Sequence, residues 1–129
     1  MKSLLKTLGM VCLFGMAACQ NSQPAFKSVD AATFEQQISA PEVQLVDVRT
    51  PDEYAAGHIA ESKNIDSGSA DFEVVCKKEL DSQRPVAVYC RSGRRSKIAA
   101  EQLTKMGFQV VELNGGFNEW KESNRTVVQ

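Results

Sequence analysis

Residues 85–107 read PVAVYCRSGRRSKIAAEQLTKMG, from Pro85 to Gly107, and this stretch decides the fold. Val86 to Tyr89 is an apolar, partly β-branched run with no charge, the pattern of a strand buried on both faces. After Cys90 and a short polar stretch the period changes. A helix is predicted to start near Ser96, to turn Ile98, Ala99, Leu103 and Met106 inward, and to stop at Gly107. A buried strand feeding an amphipathic helix is the repeating unit of parallel α/β architecture.

Outward from this unit the same alternation continues. Downstream, Gln109 to Leu113 reads as another strand, and Asn114-Gly115-Gly116 turns the chain into a short closing helix carrying Phe117 and Trp120. Upstream, Phe72, Val75, Cys76 and Leu80 share one helix face, and Val43 to Val48 reads as a buried strand. Thr50-Pro51-Asp52-Glu53 is a capping box with proline at the first helical position, and Gly57 ends the helix it opens. Asp30 caps a first helix with Phe34 and Ile38 on its inner side, stopped by Pro41. The fold class is therefore α/β, in three layers, with a central, mostly parallel sheet between helices. The domain spans 29–123, and 124–129 form a loosely packed tail.

The chemistry falls in the connection between strand and helix: Cys90, Arg91, Ser92, Gly93, Arg94 and Arg95. In a parallel α/β sheet, ligands bind beyond the carboxyl ends of the strands, and amides entering a helix form an anion cradle. A thiol on the floor of such a cradle, beside arginines, is favoured as thiolate. Gly93 permits the tight turn. The arginines attract an anionic donor and hold its oxyanion end while Cys90 attacks. Ser96 supplies a hydroxyl toward Cys90 or caps the helix.

This loop resembles the active-site loop of rhodanese-family sulfurtransferases. Asp47-Val48-Arg49 with Glu53-Tyr54, Gly57-His58-Ile59 and Asn64-Ile65 is similar to the family's N-terminal signature, and Gly115-Gly116-Phe117 with Trp120 to its C-terminal one. The three blocks occur in the family's order and cover nearly the whole domain. The resemblance implies a rhodanese-like fold and a sulfurtransferase in which Cys90 accepts sulfane sulfur as a persulfide from a small anionic donor such as thiosulfate. It passes the sulfur to a thiol, to cyanide or to an envelope protein partner. Neither a metal nor an organic cofactor is needed. A relay module with little turnover alone is the second reading. A phosphatase or arsenate reductase ranks last, because relatives of the same fold that handle bulkier tetrahedral anions use a loop one residue longer. Ser62-Lys63 departs from the small residues common before Asn64-Ile65, and Ser67 to Val75 carries no signature.

The remaining candidates read as architecture. His58, the only histidine, is expected to fix the loop before the next strand rather than act as base. Asp47 and Arg49 pair at the edge of the site, because a buried carboxylate needs a partner. Cys76, on an apolar face, reads as core.

At the start of the chain, Lys2 and Lys6 precede an apolar run from Leu8 to Ala18, too short for a span of about 20 residues and typical of an export signal. Met16-Ala17-Ala18-Cys19 resembles the lipobox of bacterial lipoproteins. Residues 1–18 are expected to be removed, Cys19 to carry lipid, and 19–28 to act as a tether. Loss of Lys2 and Lys6 turns the net charge from −1 to −3. That argues against nucleic acid as a partner. The expected location is the periplasmic side of the envelope, with membrane contact through the lipid; Gln20 after Cys19 favours the outer membrane over the inner.

Overall fold

The structure, a computed structural model, describes residues 26–129. The expected signal, the lipid site at Cys19 and most of the tether lie outside these residues. The elements are β1 (Lys27–Val29), α1 (Ala31–Ile38), β2 (Gln44–Asp47), α2 (Pro51–Ala56), β3 (Lys63–Asn64), α3 (Phe72–Glu79), β4 (Val86–Tyr89), α4 (Arg94–Lys105), β5 (Val110–Leu113) and α5 (Gly116–Glu122).

The strands form one sheet in the order β1-β5-β4-β2-β3, and all its pairs are parallel. Side chains alternate across β4 because successive residues of a strand point to opposite faces. Val86, Val88 and Cys90 join Phe72, Cys76, Leu80, Ala99 and Leu103 in the core beneath α3 and α4. Ala87 and Tyr89 join Phe34, Phe117 and Trp120 beneath α1 and α5. These two cores make the three layers expected from the sequence. Each fully buried Val, Leu or Phe contributes about 1.5–3 kcal/mol of transfer free energy.

The helix caps follow the sequence. Asp30 accepts from the Thr33 amide, and Thr50 and Glu53 form the reciprocal box at the start of α2. Four expectations need correction. Helix α4 starts at Arg94 rather than near Ser96, since left-handed Gly93 (φ 98°) serves as its N-cap. Its core face is consequently Ser96, Ala99, Ala100 and Leu103, at the three-four spacing of a buried stripe, and Ile98 points outward at 56% exposure.

The tether gives way to structure before residue 29, because Lys27 and Ser28 pair with Val111 and Glu112 in β5. The tail is held rather than loose. His58 and Val128 exchange both backbone hydrogen bonds at 2.9 Å, and the Trp120 indole N–H donates to the Thr126 carbonyl, giving a buried polar handle its partner.

Candidate functional site

The sheet order places a switch point between β2 and β4. The chain leaves β2 toward β3 on one side and leaves β4 toward β5 on the other, which opens a crevice beyond the carboxyl ends of the two strands. Cys90 follows β4 directly and Asp47-Val48-Arg49 follows β2, so two of the blocks singled out in the sequence meet there.

Cys90 is 1% exposed, so the sulfur lies on the floor of the loop. The Gly93 amide donates to Sγ at 3.1 Å, and the Ser96 hydroxyl lies 3.3 Å from Sγ. The first amides of α4 have no acceptor within the helix and enter it from this loop.

The loop is clamped from outside by the turn before α5. Phe117 and Asn118 amides donate to the carbonyls of Cys90 and Arg91 at 2.8 and 3.0 Å. A Cβ on Gly116 would stand 2.5 Å from the Arg91 carbonyl oxygen, and one on Gly93 would stand 2.0 Å from that of Asn114. Only glycine permits this approach, and both positions also have positive φ. Lys97 closes the remaining side, with Nζ at 3.2 Å from the Gly93 carbonyl.

The three arginines of the loop divide. Arg95 is bound bidentately to Glu53 of α2, at 2.7 and 2.9 Å, and that hydrogen bonding holds the Glu53 carboxyl down at about 2. Arg91 and Arg94 are exposed and belong to no ion pair among the described residues. Of the loop's arginines, Arg91 and Arg94 thus keep their charge unpaired among the described residues, while Arg95 braces the loop against α2. Ser92 is exposed and Gly93 buried.

The residues read as architecture are tied to one another and to α2. Arg49 is 4% exposed, pairs with Asp47 at 2.7 Å, donates to the Gly57 carbonyl and lies over the Phe117 ring at 4.2 Å. His58 donates through Nδ1 to the Tyr54 carbonyl and stacks on Tyr54 at 3.7 Å. Its ring is committed to α2. Asn64 donates to the carbonyls of Asp47 and Arg49, which fixes the end of β2. A cavity of about 290 Å³ beside the loop is lined by Arg49, Glu53, Arg91, Phe117 and Lys121, among others.

Sequence reasoning missed Glu112. It is fully buried on β5 and accepts from Ser96 at 2.5 Å and from Ser28 at 2.6 Å. The signal was present, because a carboxylate inside Val110-Val111-Glu112-Leu113 interrupts an otherwise apolar buried strand.

A cysteine held by a loop amide at the end of a central parallel strand, with Arg91 and Arg94 exposed on the same loop, defines an α/β domain suited to nucleophilic cysteine chemistry on anions. The chain belongs to the rhodanese-like domain family, whose model matches residues 30–123. It is similar to the thiosulfate sulfurtransferase GlpE of Pseudomonas aeruginosa, with 39% identity over 87 residues, 66% of this chain and 76% of that one. It is also similar to the GlpE of Shewanella oneidensis, with 33% identity over 101 residues, 78% of this chain and 97% of that one. Among solved structures, a rhodanese-related protein from Thermoplasma volcanium superposes with a TM-score of 0.70 at 34% identity, covering 80% of this chain and 98% of the other.

Proposed function

We propose that this chain is a rhodanese-type sulfurtransferase that carries sulfur on Cys90. The Cys90 thiolate attacks the outer sulfur of thiosulfate or a similar donor. A new S–S bond forms, the donor's own S–S bond breaks, and sulfite leaves with the bonding pair. A thiol or cyanide then takes the outer sulfur and returns the thiolate. One observation carries this reading: the Gly93 amide aimed at Sγ within a loop whose Arg91 and Arg94 are free to receive an anion. Donors fixed in a dry site before the reaction stabilise developing charge with no reorganisation at the moment of transfer. The resemblance to proteins named thiosulfate sulfurtransferase supports the donor class.

Cys90→Ser is expected to abolish thiosulfate:cyanide sulfurtransfer, by more than about a thousandfold, with the circular dichroism spectrum unchanged. Full turnover in that variant would end the proposal. The 1% exposure of Cys90 favours a second reading, in which the protein holds sulfur for an envelope partner and turns over slowly with small acceptors. Donor treatment should add one sulfur atom to Cys90 under either reading, and steady-state rates separate them.

The proposal extends to location: lipidation at Cys19, following the lipobox-like Met16-Ala17-Ala18, would tether the domain to the envelope membrane. Incorporation of labelled palmitate that is lost in Cys19→Ala tests this.

A further inference from the structure

We infer that Glu112 is a positioning residue for Cys90, acting through the Ser96 hydroxyl to oppose the unloaded thiolate and so to favour the sulfur-loaded state. The inference rests on the proposed persulfide chemistry and concerns a residue that chemistry does not otherwise use.

A carboxylate inside the core costs desolvation unless donors surround it. Two elements supply them to Glu112. Ser28 of β1 donates to Oε1 at 2.6 Å, Ser96 of α4 donates to Oε2 at 2.5 Å, and Lys97 of α4 stands 3.3 Å away. Ser96 has a single hydroxyl proton. With that proton on Glu112, the Ser96 oxygen faces Cys90 Sγ as an acceptor, at 3.3 Å.

This arrangement suits a thiol, because the Cys90 S–H completes the chain Cys90, Ser96, Glu112. It does not suit a thiolate. Sulfur and carboxylate would then share one hydroxyl proton, and whichever loses it keeps its negative charge with one donor fewer. Both the shared proton and the like charge two hydrogen bonds away raise the free energy of the unloaded thiolate. When a persulfide forms, the negative charge moves to the outer sulfur, one bond further from Glu112, and Ser96 stays with the carboxylate without conflict. Glu112 therefore tilts the balance toward holding sulfur.

The other charges around Cys90 are Arg91 and Arg94 on the loop, Arg95 with Glu53 of α2, Lys97 of α4, and Arg49 with Asp47 at the end of β2. Glu112 is the one acidic group joined to Sγ through a single side chain among the described residues.

The test is the pH dependence of Cys90 alkylation by iodoacetamide in the intact protein, read on the Cys90 peptide by mass spectrometry. Glu112→Gln, which keeps the shape and removes the charge, is expected to lower the midpoint by about one pH unit. Ser96→Ala is expected to lower it by less, since it removes the S–H acceptor and leaves the carboxylate in place. Glu112→Asp, which keeps the charge, should stay near the wild-type midpoint. At a pH above all midpoints, the loaded fraction at a fixed thiosulfate-to-sulfite ratio should fall several-fold in Glu112→Gln.

A folded Glu112→Gln protein with an unmoved or raised midpoint overturns the inference. If that variant does not fold, an upward shift in Ser96→Ala overturns it, because Ser96 would then be a donor to the thiolate. Failure of wild-type Cys90 to gain sulfur from any donor strikes the persulfide reading instead and leaves the midpoint test standing.

Discussion

Cys76 and Cys90 are both buried, at 0% and 1% exposure, and both pack in the same core beneath α3 and α4. Their surroundings differ in kind. Cys76 sits on α3 among apolar side chains, and burial, with a smaller push from the charge of Glu73, drives its thiol up to about 12. Cys90 lies where a strand ends and a helix begins, with an amide N–H directed at its sulfur and the Ser96 hydroxyl oxygen 3.3 Å from it. Burial alone does not set what a cysteine can do; the polar groups that accompany it into the interior do.

The largest expected effect breaks or keeps this contrast directly. At pH 8 a thiol displaced to about 12 is ionised in only about one molecule in ten thousand. Iodoacetamide should therefore label Cys90 at least about a hundredfold faster than Cys76 in the folded protein, and Cys76→Ala should keep its sulfurtransfer activity. Equal labelling would erase the distinction.

A substitution at the clamp should damage one cysteine's surroundings and spare the other's. Gly116→Ala places a Cβ 2.5 Å from the Arg91 carbonyl oxygen at a positive φ of 65°. It is expected to cost about 2–3 kcal/mol of stability, measured by urea unfolding. Alkylation of Cys90 should change while Cys76 stays silent.

The smallest effect concerns acid. Glu53 is held at about 2, against an ordinary value of 4.5, so the stability it contributes is present above about pH 4.5 and lost as pH falls toward 2. In Glu53→Gln that part of the acid dependence should disappear. The difference should be about 1 kcal/mol, since a partly exposed pair is screened by water. An identical slope of stability against pH in both proteins would show that Arg95 is not braced by this carboxylate in solution.

The α/β architecture was legible because nearly every boundary carries a local chemical reason. Asp30 and Thr50 cap, Pro41 stops a helix, and Val86 to Tyr89 is too apolar to be anything but a covered strand. The start of α4 is harder to place, because Gly93 reads locally as a turn residue. A left-handed glycine lets helical hydrogen bonding begin at once, two residues before the serine that looked like a cap.

The site was legible as a loop and less so as a set of partners. Nothing local in Arg94-Arg95 reveals that Arg95 alone meets Glu53, because the two residues are 42 positions apart and are joined only through the sheet order. The same holds for Ser96 and Glu112, where the serine hydroxyl had a plausible local use. The hold on the tail was not legible, because a strand-like bridge to His58 needs only two backbone amides and no periodic pattern of side chains.

The clamp on the loop also has a consequence for biogenesis. Cys90 emerges from the ribosome well before Phe117 and Asn118, whose amides close its loop at 2.8 and 3.0 Å. During that interval the nascent chain carries a thiol without its finished enclosure. The enclosure of the cysteine is thus completed only by residues 117 and 118, and a protein interrupted before residue 117 would carry the thiol in an unfinished loop.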